Sequence, residues 1–159
     1  MIGKIIKQIS NDYTVKINEN LYVCKPRGKF RKLGIVPLVG DNVEVDLENN
    51  YILDILERKN ELERPSISNI DQAVIVTSVK IPDFSTNLLD KLLNIIEYNN
   101  VKPIICFTKL DLLNKEELEY IMSIQEYYKK IGYEVYNNTD IELKNIFKDK
   151  ITVFAGQSG

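Results

Sequence analysis

The chain has 159 residues, 44% of them hydrophobic, and carries a formal net charge of −2. This length allows one ordinary domain or two small ones, with enough apolar residues for a packed core. No run of about 18 apolar residues is present and the N-terminus does not resemble a signal peptide, so we predict cytoplasmic residence. Because the only candidate soft ligands are Cys24 and Cys106 and there is no histidine, thiols and imidazoles cannot form a four-ligand zinc site.

Five short strands are predicted in the first part of the chain. Apolar residues fall there in short, often alternating runs that turn-forming Asn, Asp, Ser and Gly residues separate. The predicted strands cover residues 2–9, 13–17, 21–23, 43–45 and 51–55. A five-stranded chain of this size suits an oligonucleotide/oligosaccharide-binding (OB) barrel, whose closure removes exposed strand edges and whose surface often binds nucleic acid.

A basic segment interrupts this barrel. It places five cations and one phenylalanine within eight residues: Lys25, Arg27, Lys29, Phe30, Arg31 and Lys32. On a mobile loop these cations can neutralise phosphates and Phe30 can stack on an unpaired base, so the pattern predicts an RNA contact. The alternative is a solvated loop with Phe30 packed into the barrel.

A hydrophilic stretch follows the last of these strands. Residues 57–66 contain few apolar side chains and include Pro65 near their end, which is typical of a tether between two domains. We therefore predict an OB domain with its linker in residues 1–66 and a second domain in residues 67–159.

Strands and helices alternate in the second domain. Apolar runs predict strands over residues 71–79, 101–108, 133–136 and 151–155. Apolar residues at spacings of three and four predict helices over residues 87–99 and 116–131, and a short helix is predicted over residues 141–147. The first helix has Ser85, Thr86 or Asn87 as its N-cap. This alternation predicts an open α/β sheet, which binds ligands at the carboxyl ends of its strands.

The tetrapeptide Thr108-Lys109-Leu110-Asp111 directly follows the second of these strands. It matches the [NT]-K-x-D pattern, in which the Asp carboxylate accepts hydrogen bonds from N1–H and the amine of guanine while the Lys stem lies along the base. Because adenine lacks that donor pair, the carboxylate discriminates between the two bases. The alternative is a solvated turn in which Asp111 caps the following helix.

The final residues, Gly156, Gln157, Ser158 and Gly159, follow a predicted strand as a phosphate-binding loop does. In such a loop, backbone N–H groups point at phosphate oxygens. The full pattern, G-x-x-x-x-G-K-[ST], places its second Gly, its Lys and its hydroxyl residue after Gly159, so we expect the sequence to stop inside the loop. The alternative is a flexible tail.

The order of these two motifs is unusual, because ordinary GTPases place the phosphate loop before the [NT]-K-x-D motif. Three further stretches match the sequence pattern of one GTPase family: Val39 to Val45, Arg58 to Pro65 and Asn69 to Gln72. Together with the basic barrel segment and the permuted order, they make the whole chain resemble the family of ribosome small-subunit-dependent GTPase A (RsgA).

The resemblance implies a cytoplasmic, monomeric protein that acts late in maturation of the 30S subunit. In this family the OB barrel contacts 16S rRNA, GTP is hydrolysed with Mg²⁺, and no membrane is bound. Family members continue with the rest of the phosphate loop, two switch segments and a C-terminal Zn²⁺ module. The Lys and Ser or Thr that hold the phosphates and Mg²⁺ would follow Gly159, so residues 1–159 alone are expected to bind GTP weakly and to contain no catalytic residue or metal ligand.

The sequence departs from the pattern in two places. Thr108 stands where many GTPases have Asn, and a hydroxyl cannot reproduce both amide contacts, so lower affinity for the base is expected. Asn138 and Thr139 lie where a Ser-Ala-Lys-like segment usually backs the guanine, and they are the predicted donors there. Two other hypotheses stay open: an RNA-binding module whose α/β half is only a scaffold, and a P-loop ATPase, in which Asp111 has no role.

Overall fold

A computed structural model describes residues 1–156 of the chain. It divides into two compact units, of which the first is Met1–Asn69 and the second begins at Ile70. The division into an OB domain with its linker at residues 1–66 and a second domain at residues 67–159 stays a prediction. Within residues 1–156, no helix has the length and apolar character needed to cross a membrane.

The first unit is a closed barrel of five strands, joined in the order β1-β2-β3-β5-β4. The strands are β1 Ile2–Ile9, β2 Asp12–Ile17, β3 Asn20–Pro26, β4 Asn42–Asp46 and β5 Tyr51–Ile55, with helix α1 Gly28–Leu33 between β3 and β4. Alternate residues of each strand point inward, and Ile5, Val15, Val43 and Ile52 are completely buried there. The predicted OB barrel is therefore confirmed.

The basic segment begins at the end of β3 and continues as helix α1, so the predicted mobile loop is wrong. Helix α1 ends at Gly34, whose φ of 67° is the left-handed conformation that glycine adopts readily, and the Gly34 N–H donates to the carbonyls of Arg31 and Phe30. Phe30 is 3% exposed and packs in the barrel core. Burying this aromatic ring between charged neighbours selects a helical turn, since a helix turns one side chain inward while the adjacent ones face solvent.

Residues 57–66, the predicted tether, belong to the first unit and are bonded to it, since Arg58 binds Asp41 and the Val36 carbonyl. Two short strands, β6 Glu61–Leu62 and β7 Ile67–Ser68, pair with each other antiparallel. The side chain of Asn69 accepts a hydrogen bond from the Lys59 N–H at 2.8 Å. Hydrophilic composition did not indicate these contacts, because this stretch is held by buried polar contacts more than by apolar ones.

The second unit contains a four-stranded sheet in the order β10-β9-β8-β11, in which every neighbouring pair is parallel. Its elements are β8 Gln72–Ser78, α2 Thr86–Tyr98, β9 Lys102–Thr108, a 3₁₀ helix Leu110–Leu112, α3 Lys115–Lys130, β10 Glu134–Asn137, a 3₁₀ helix Ile141–Phe147 and β11 Thr152–Gly156. The predicted α/β sheet is confirmed. The short helix at 141–147 is a 3₁₀ helix, and the one at 110–112 was not predicted.

The two long helices begin at side-chain caps. Ser85 caps α2 by accepting from the Leu88 N–H, and Asn114 forms a reciprocal capping box with Glu117 at the start of α3. Because Asn114 fills the cap position, the alternative in which Asp111 caps this helix is wrong. Asp111 lies instead in the preceding 3₁₀ turn.

Candidate functional site

The sheet brings the carboxyl ends of its four strands to one edge. In the register of the strands, Ser78 lies beside Thr108, Asn137 beside Phe107, and Gly156 beside Val76. Strands β9 and β11 are separated only by β8, so the two strands lie about 10 Å apart at two interstrand spacings of about 4.8 Å. The predicted base-reading tetrapeptide, the residues after β10 and the first predicted loop glycine therefore share one edge.

The tetrapeptide makes a sharp turn as it leaves β9. Lys109 has a φ of 65°, and the Leu112 N–H closes the turn on the Lys109 carbonyl at 3.1 Å. This turn leaves Asp111 exposed, and within residues 1–156 its carboxylate makes no hydrogen bond or ion pair. A carboxylate that is neither capping nor paired is free to accept two hydrogen bonds from a ligand.

The turn after β8 packs against this edge and was not predicted as part of the site. The Lys109 ammonium donates to the Ile81 carbonyl. Lys80 binds both carboxylate oxygens of Glu117 at 2.9 Å, and this contact lowers the pKa of Glu117, with the Asn114 backbone N–H contributing. The start of α3 is thereby connected to the strand end that precedes α2.

The loop after β10 is held from two sides. The Asn138 N–H donates to the Phe107 carbonyl at 2.9 Å, so this backbone donor is already used. Asn138 and Thr139 are both exposed, and the Asn138 side chain and the Thr139 donors remain for a ligand. Gln125 on α3 donates to the Asn137 side-chain oxygen at 2.7 Å and fixes the strand end. Gln125 is a polar residue on the buried face of α3, and this position is the feature of the sequence that could have indicated the contact.

Gly156 ends β11 in close approach to the neighbouring strand. A Cβ atom on Gly156 would lie 2.5 Å from the Val76 carbonyl oxygen, so a side chain there requires the strands to move apart. Gln157, Ser158 and Gly159, the rest of the predicted phosphate-binding residues, lie outside the described residues.

The cations of the basic segment fall into two groups. Lys25 lies 3.9 Å from Asp12, and Lys29 lies 3.6 Å from Asp54. The side chains of Arg27, Arg31 and Lys32 are exposed and have no hydrogen-bond or ion-pair partner in the part of the chain that the structure describes.

The predicted stacking of Phe30 on a base is wrong, because its ring is buried in the barrel core. The alternative, with Phe30 packed into the barrel, is the arrangement found. The charged side chains are thus the part of the segment that faces solvent.

A buried ion pair near this segment was missed by the sequence analysis. Asp41 is completely buried and binds Arg58 through two contacts of 2.8 Å, together with the Ser68 hydroxyl at 2.6 Å. The hydrogen bond to Asp41 raises the pKa of Arg58 above its ordinary value. Residues separated by 17 and 27 positions meet here, which no local pattern could indicate.

Residues 1–156 contain no group of three or more His, Cys, Asp or Glu side chains arranged to hold a metal ion.

Two solved structures share this fold. The circularly permuted GTPase YloQ matches with a TM-score of 0.79 and 47% identity, covering 99% of this chain and 60% of that one. YjeQ from Thermotoga maritima matches with a TM-score of 0.83 and 34% identity over the same shares. The OB barrel followed by a parallel sheet is therefore an architecture that this chain shares with a circularly permuted GTPase. The RsgA N-terminal domain model matches residues 2–52 and the RsgA GTPase model matches residues 55–159. The chain belongs to the RsgA family.

Curated relatives agree with this assignment. The small ribosomal subunit biogenesis GTPase RsgA 2 of Oceanobacillus iheyensis is 49% identical over 166 residues, and RsgA of Bacillus pumilus is 49% identical over 171. Each alignment covers 99% of this chain and 57% of the relative. The chain therefore spans little more than half the length of these proteins.

Proposed function

We propose that this chain supplies the RNA-binding and guanine-reading parts of a cytoplasmic GTPase that acts in late maturation of the small ribosomal subunit. Its relatives are named small ribosomal subunit biogenesis GTPases. The observation that carries the proposal is the exposed, unpaired Asp111 carboxylate at the same sheet edge as Gly156. A carboxylate beside a glycine-ended strand suits a guanine nucleotide, with base and phosphates along one edge.

In the proposed complex, Asp111 accepts hydrogen bonds from guanine N1–H and from the exocyclic amine. Lys109 exchanges its contact with the Ile81 carbonyl for the face of the base, and the exposed donors of Asn138 and Thr139 lie on the opposite side. Thr108 is half-buried. In the proposed complex it holds the backbone of the tetrapeptide in place and makes little contact with the base. Gly156 begins the phosphate loop, with Gln157, Ser158 and Gly159 continuing it.

Nucleotide competition tests the guanine assignment. Fluorescent GDP at high protein concentration is expected to bind the chain and to be displaced by GTP and GDP but not by ATP. Displacement by ATP at equal concentration would favour the P-loop ATPase hypothesis. Absence of any guanine-nucleotide binding would leave an RNA-binding module whose α/β unit is a scaffold.

GTP hydrolysis requires side chains that hold the phosphates and Mg²⁺, and the described residues do not include them. GTPases hold the β and γ phosphates and Mg²⁺ with a Lys and a Ser or Thr that the motif places after Gly159. A polypeptide of residues 1–159 is therefore expected to show no GTP turnover above a buffer blank. Turnover that persists after further purification would contradict this proposal.

The barrel is the proposed contact with 16S rRNA in the 30S subunit, and monomeric protein is the proposed binding form. Reversing the charge at Arg27, Lys29 and Arg31 together is expected to abolish co-sedimentation with purified small ribosomal subunits. The same number of reversals at Lys91, Lys130 and Lys144 is the matched control. Equal loss in both variants would point to net charge alone and contradict the assignment of the basic segment.

A further inference from the structure

An open cleft of about 570 Å³ lies on the barrel, bordered by the basic segment. Three stretches of chain line it: the turn between β1 and β2, the chain from Pro26 to Arg31, and the stretch after α1. Its volume falls within the range of about 300–1,000 Å³ that is usual for small-molecule sites. The cleft therefore has room for one nucleotide of an RNA chain.

The lining combines apolar surface with unpaired cations. Ile35 and Val36 remain 43% and 59% exposed along the cleft. Arg27 and Arg31 border the same cleft, and within residues 1–156 their guanidinium groups have no hydrogen-bond or ion-pair partner. Asn11 adds an exposed amide that can bind the edge of a base. Exposed apolar side chains beside free guanidinium groups are the features that bind an unstacked base and its phosphates.

The wall that carries Ile35 and Val36 is held from beneath by the buried ion pair. Arg58 donates to the Val36 carbonyl at 2.8 Å, and the Leu38 N–H donates to Asp41 at 2.8 Å. Because the same two charged residues also bind each other, a shift of the wall would disturb the part-buried contact between Arg58 and Asp41. The cleft is thus preorganised, which reduces the entropy lost when a ligand binds.

We propose that this cleft holds one unpaired nucleotide of ribosomal RNA, with its base against Ile35 and Val36 and its phosphates at Arg27 and Arg31. The inference rests on the proposed function and specifies the kind of RNA that the barrel recognises. A base inside a duplex is stacked and paired, so it cannot enter the cleft. Phe30 contributes to the floor of the cleft, and its buried ring stabilises helix α1, which carries Arg31 and has Arg27 at its N-cap.

The test compares two RNA probes by fluorescence anisotropy with the chain of residues 1–159. One is a labelled single-stranded 8-mer, and the other carries the same sequence in a duplex stem. We expect at least tenfold tighter binding of the single strand. The variant R27Q/R31Q is expected to weaken that binding about tenfold. It is also expected to make the slope of the logarithm of the binding constant against the logarithm of salt concentration shallower by about 1.4, because each of the two lost phosphate contacts contributes about 0.7. The matched control K91Q/K130Q removes two cations from α2 and α3 and is expected to bind like wild type.

A second pair of variants tests the apolar wall. Val36→Asp places a carboxylate in the cleft and is expected to weaken single-strand binding about tenfold. Met122→Asp, at a similarly exposed position on α3, is the control and is expected to change binding less than twofold. In methyl NMR spectra, addition of the 8-mer is expected to shift the resonances of Ile35 and Val36.

The outcomes separate this inference from the proposed function. If wild type binds RNA and small ribosomal subunits while the cleft variants bind equally well, the nucleotide site is overturned and the proposed function stands. If the cleft variants lose subunit binding but wild type does not bind the single strand, the occupant is a protein segment and the inference is overturned. If wild type binds neither RNA nor subunits, the proposed function fails as well.

Discussion

The two candidate sites are built in different ways. At the sheet edge of the second unit, Thr108 to Asp111 is one continuous stretch, and the parallel strands bring it near Gly156. In the barrel, the cleft is assembled from three separate stretches and its wall is held by Asp41 and Arg58. At the sheet edge, the residues are positioned by the backbone of the parallel strands, as in any parallel α/β sheet. In the cleft, they are positioned by the ion pair between Asp41 and Arg58.

This difference predicts different sensitivities to substitution. At the sheet edge, Asp111, Asn138 and Thr139 are exposed, so substitutions of these three residues should change ligand preference and leave the fold intact. The wall of the cleft is held by Asp41, which is completely buried, so substitution of Asp41 should change the stability of the barrel. Four experiments test this contrast.

The largest effect is expected at the buried ion pair. Asp41→Ala leaves Arg58, the Ser68 hydroxyl and the Leu38 N–H without their shared acceptor, which should destabilise the barrel by about 3 kcal/mol. Amide hydrogen exchange of β1 to β5 measures the loss. Asp54→Ala removes an exposed pair with Lys29 and should cost less than about 1 kcal/mol. Similar exchange rates in the two variants would show that the cleft does not depend on its buried pair.

The next effect is a change of nucleotide preference at the sheet edge. Asp111→Asn loses two charge-assisted hydrogen bonds to guanine, and at about 1.5 kcal/mol each the affinity should fall about 100-fold. The variant should bind xanthine nucleotides better, because xanthine carries a carbonyl where guanine has an amine. Titration with GDP and xanthosine diphosphate measures both effects. Glu116→Gln removes a neighbouring carboxylate and should leave the preference as in wild type, and an unchanged preference in Asp111→Asn would contradict the guanine assignment.

A pair of glycine substitutions tests the close packing below the cleft wall. Gly34 and Gly40 both have positive φ, but only Gly40 has backbone within reach, since a Cβ there would lie 2.0 Å from the Ser68 carbonyl oxygen. Gly34→Ala should cost about 1 kcal/mol for the left-handed conformation alone. Gly40→Ala should cost about 1–3 kcal/mol more, because the turn at Gly40 must move away from Ser68. Urea unfolding monitored by tyrosine fluorescence compares the two, and equal costs would contradict the observed packing.

The smallest effect concerns the contact between Lys80 and Glu117. Lys80→Gln should raise the pKa of Glu117 part of the way to its ordinary value, since the Asn114 N–H still binds the carboxylate. A lowered pKa contributes stability above the unfolded-state pKa, and that contribution is lost as the pH falls through the folded-state pKa. Carbon NMR of the Glu117 carboxyl group follows the titration. The control Lys91→Gln should leave it unchanged, and an unchanged pKa in Lys80→Gln would exclude the contact.

Much of the fold and the sheet-edge site followed from the sequence. Unbroken apolar runs predicted the strands of the parallel sheet, and alternating runs predicted those of the barrel. A motif such as Thr108 to Asp111 is visible because its residues are adjacent in the chain. Once the strand before it is identified, the carboxyl edge of the sheet is also determined.

The remaining features depend on contacts between residues that are distant in sequence. Composition predicted a mobile basic loop and a tether, but burial of Phe30 produces a helix, and the bonds of Arg58 and Asn69 hold the supposed tether on the barrel. Periodicity and short motifs report local backbone preference and the face of each element that is buried. The partner of a buried charge such as Asp41 is chosen by the closed barrel, which brings together residues that no local pattern connects.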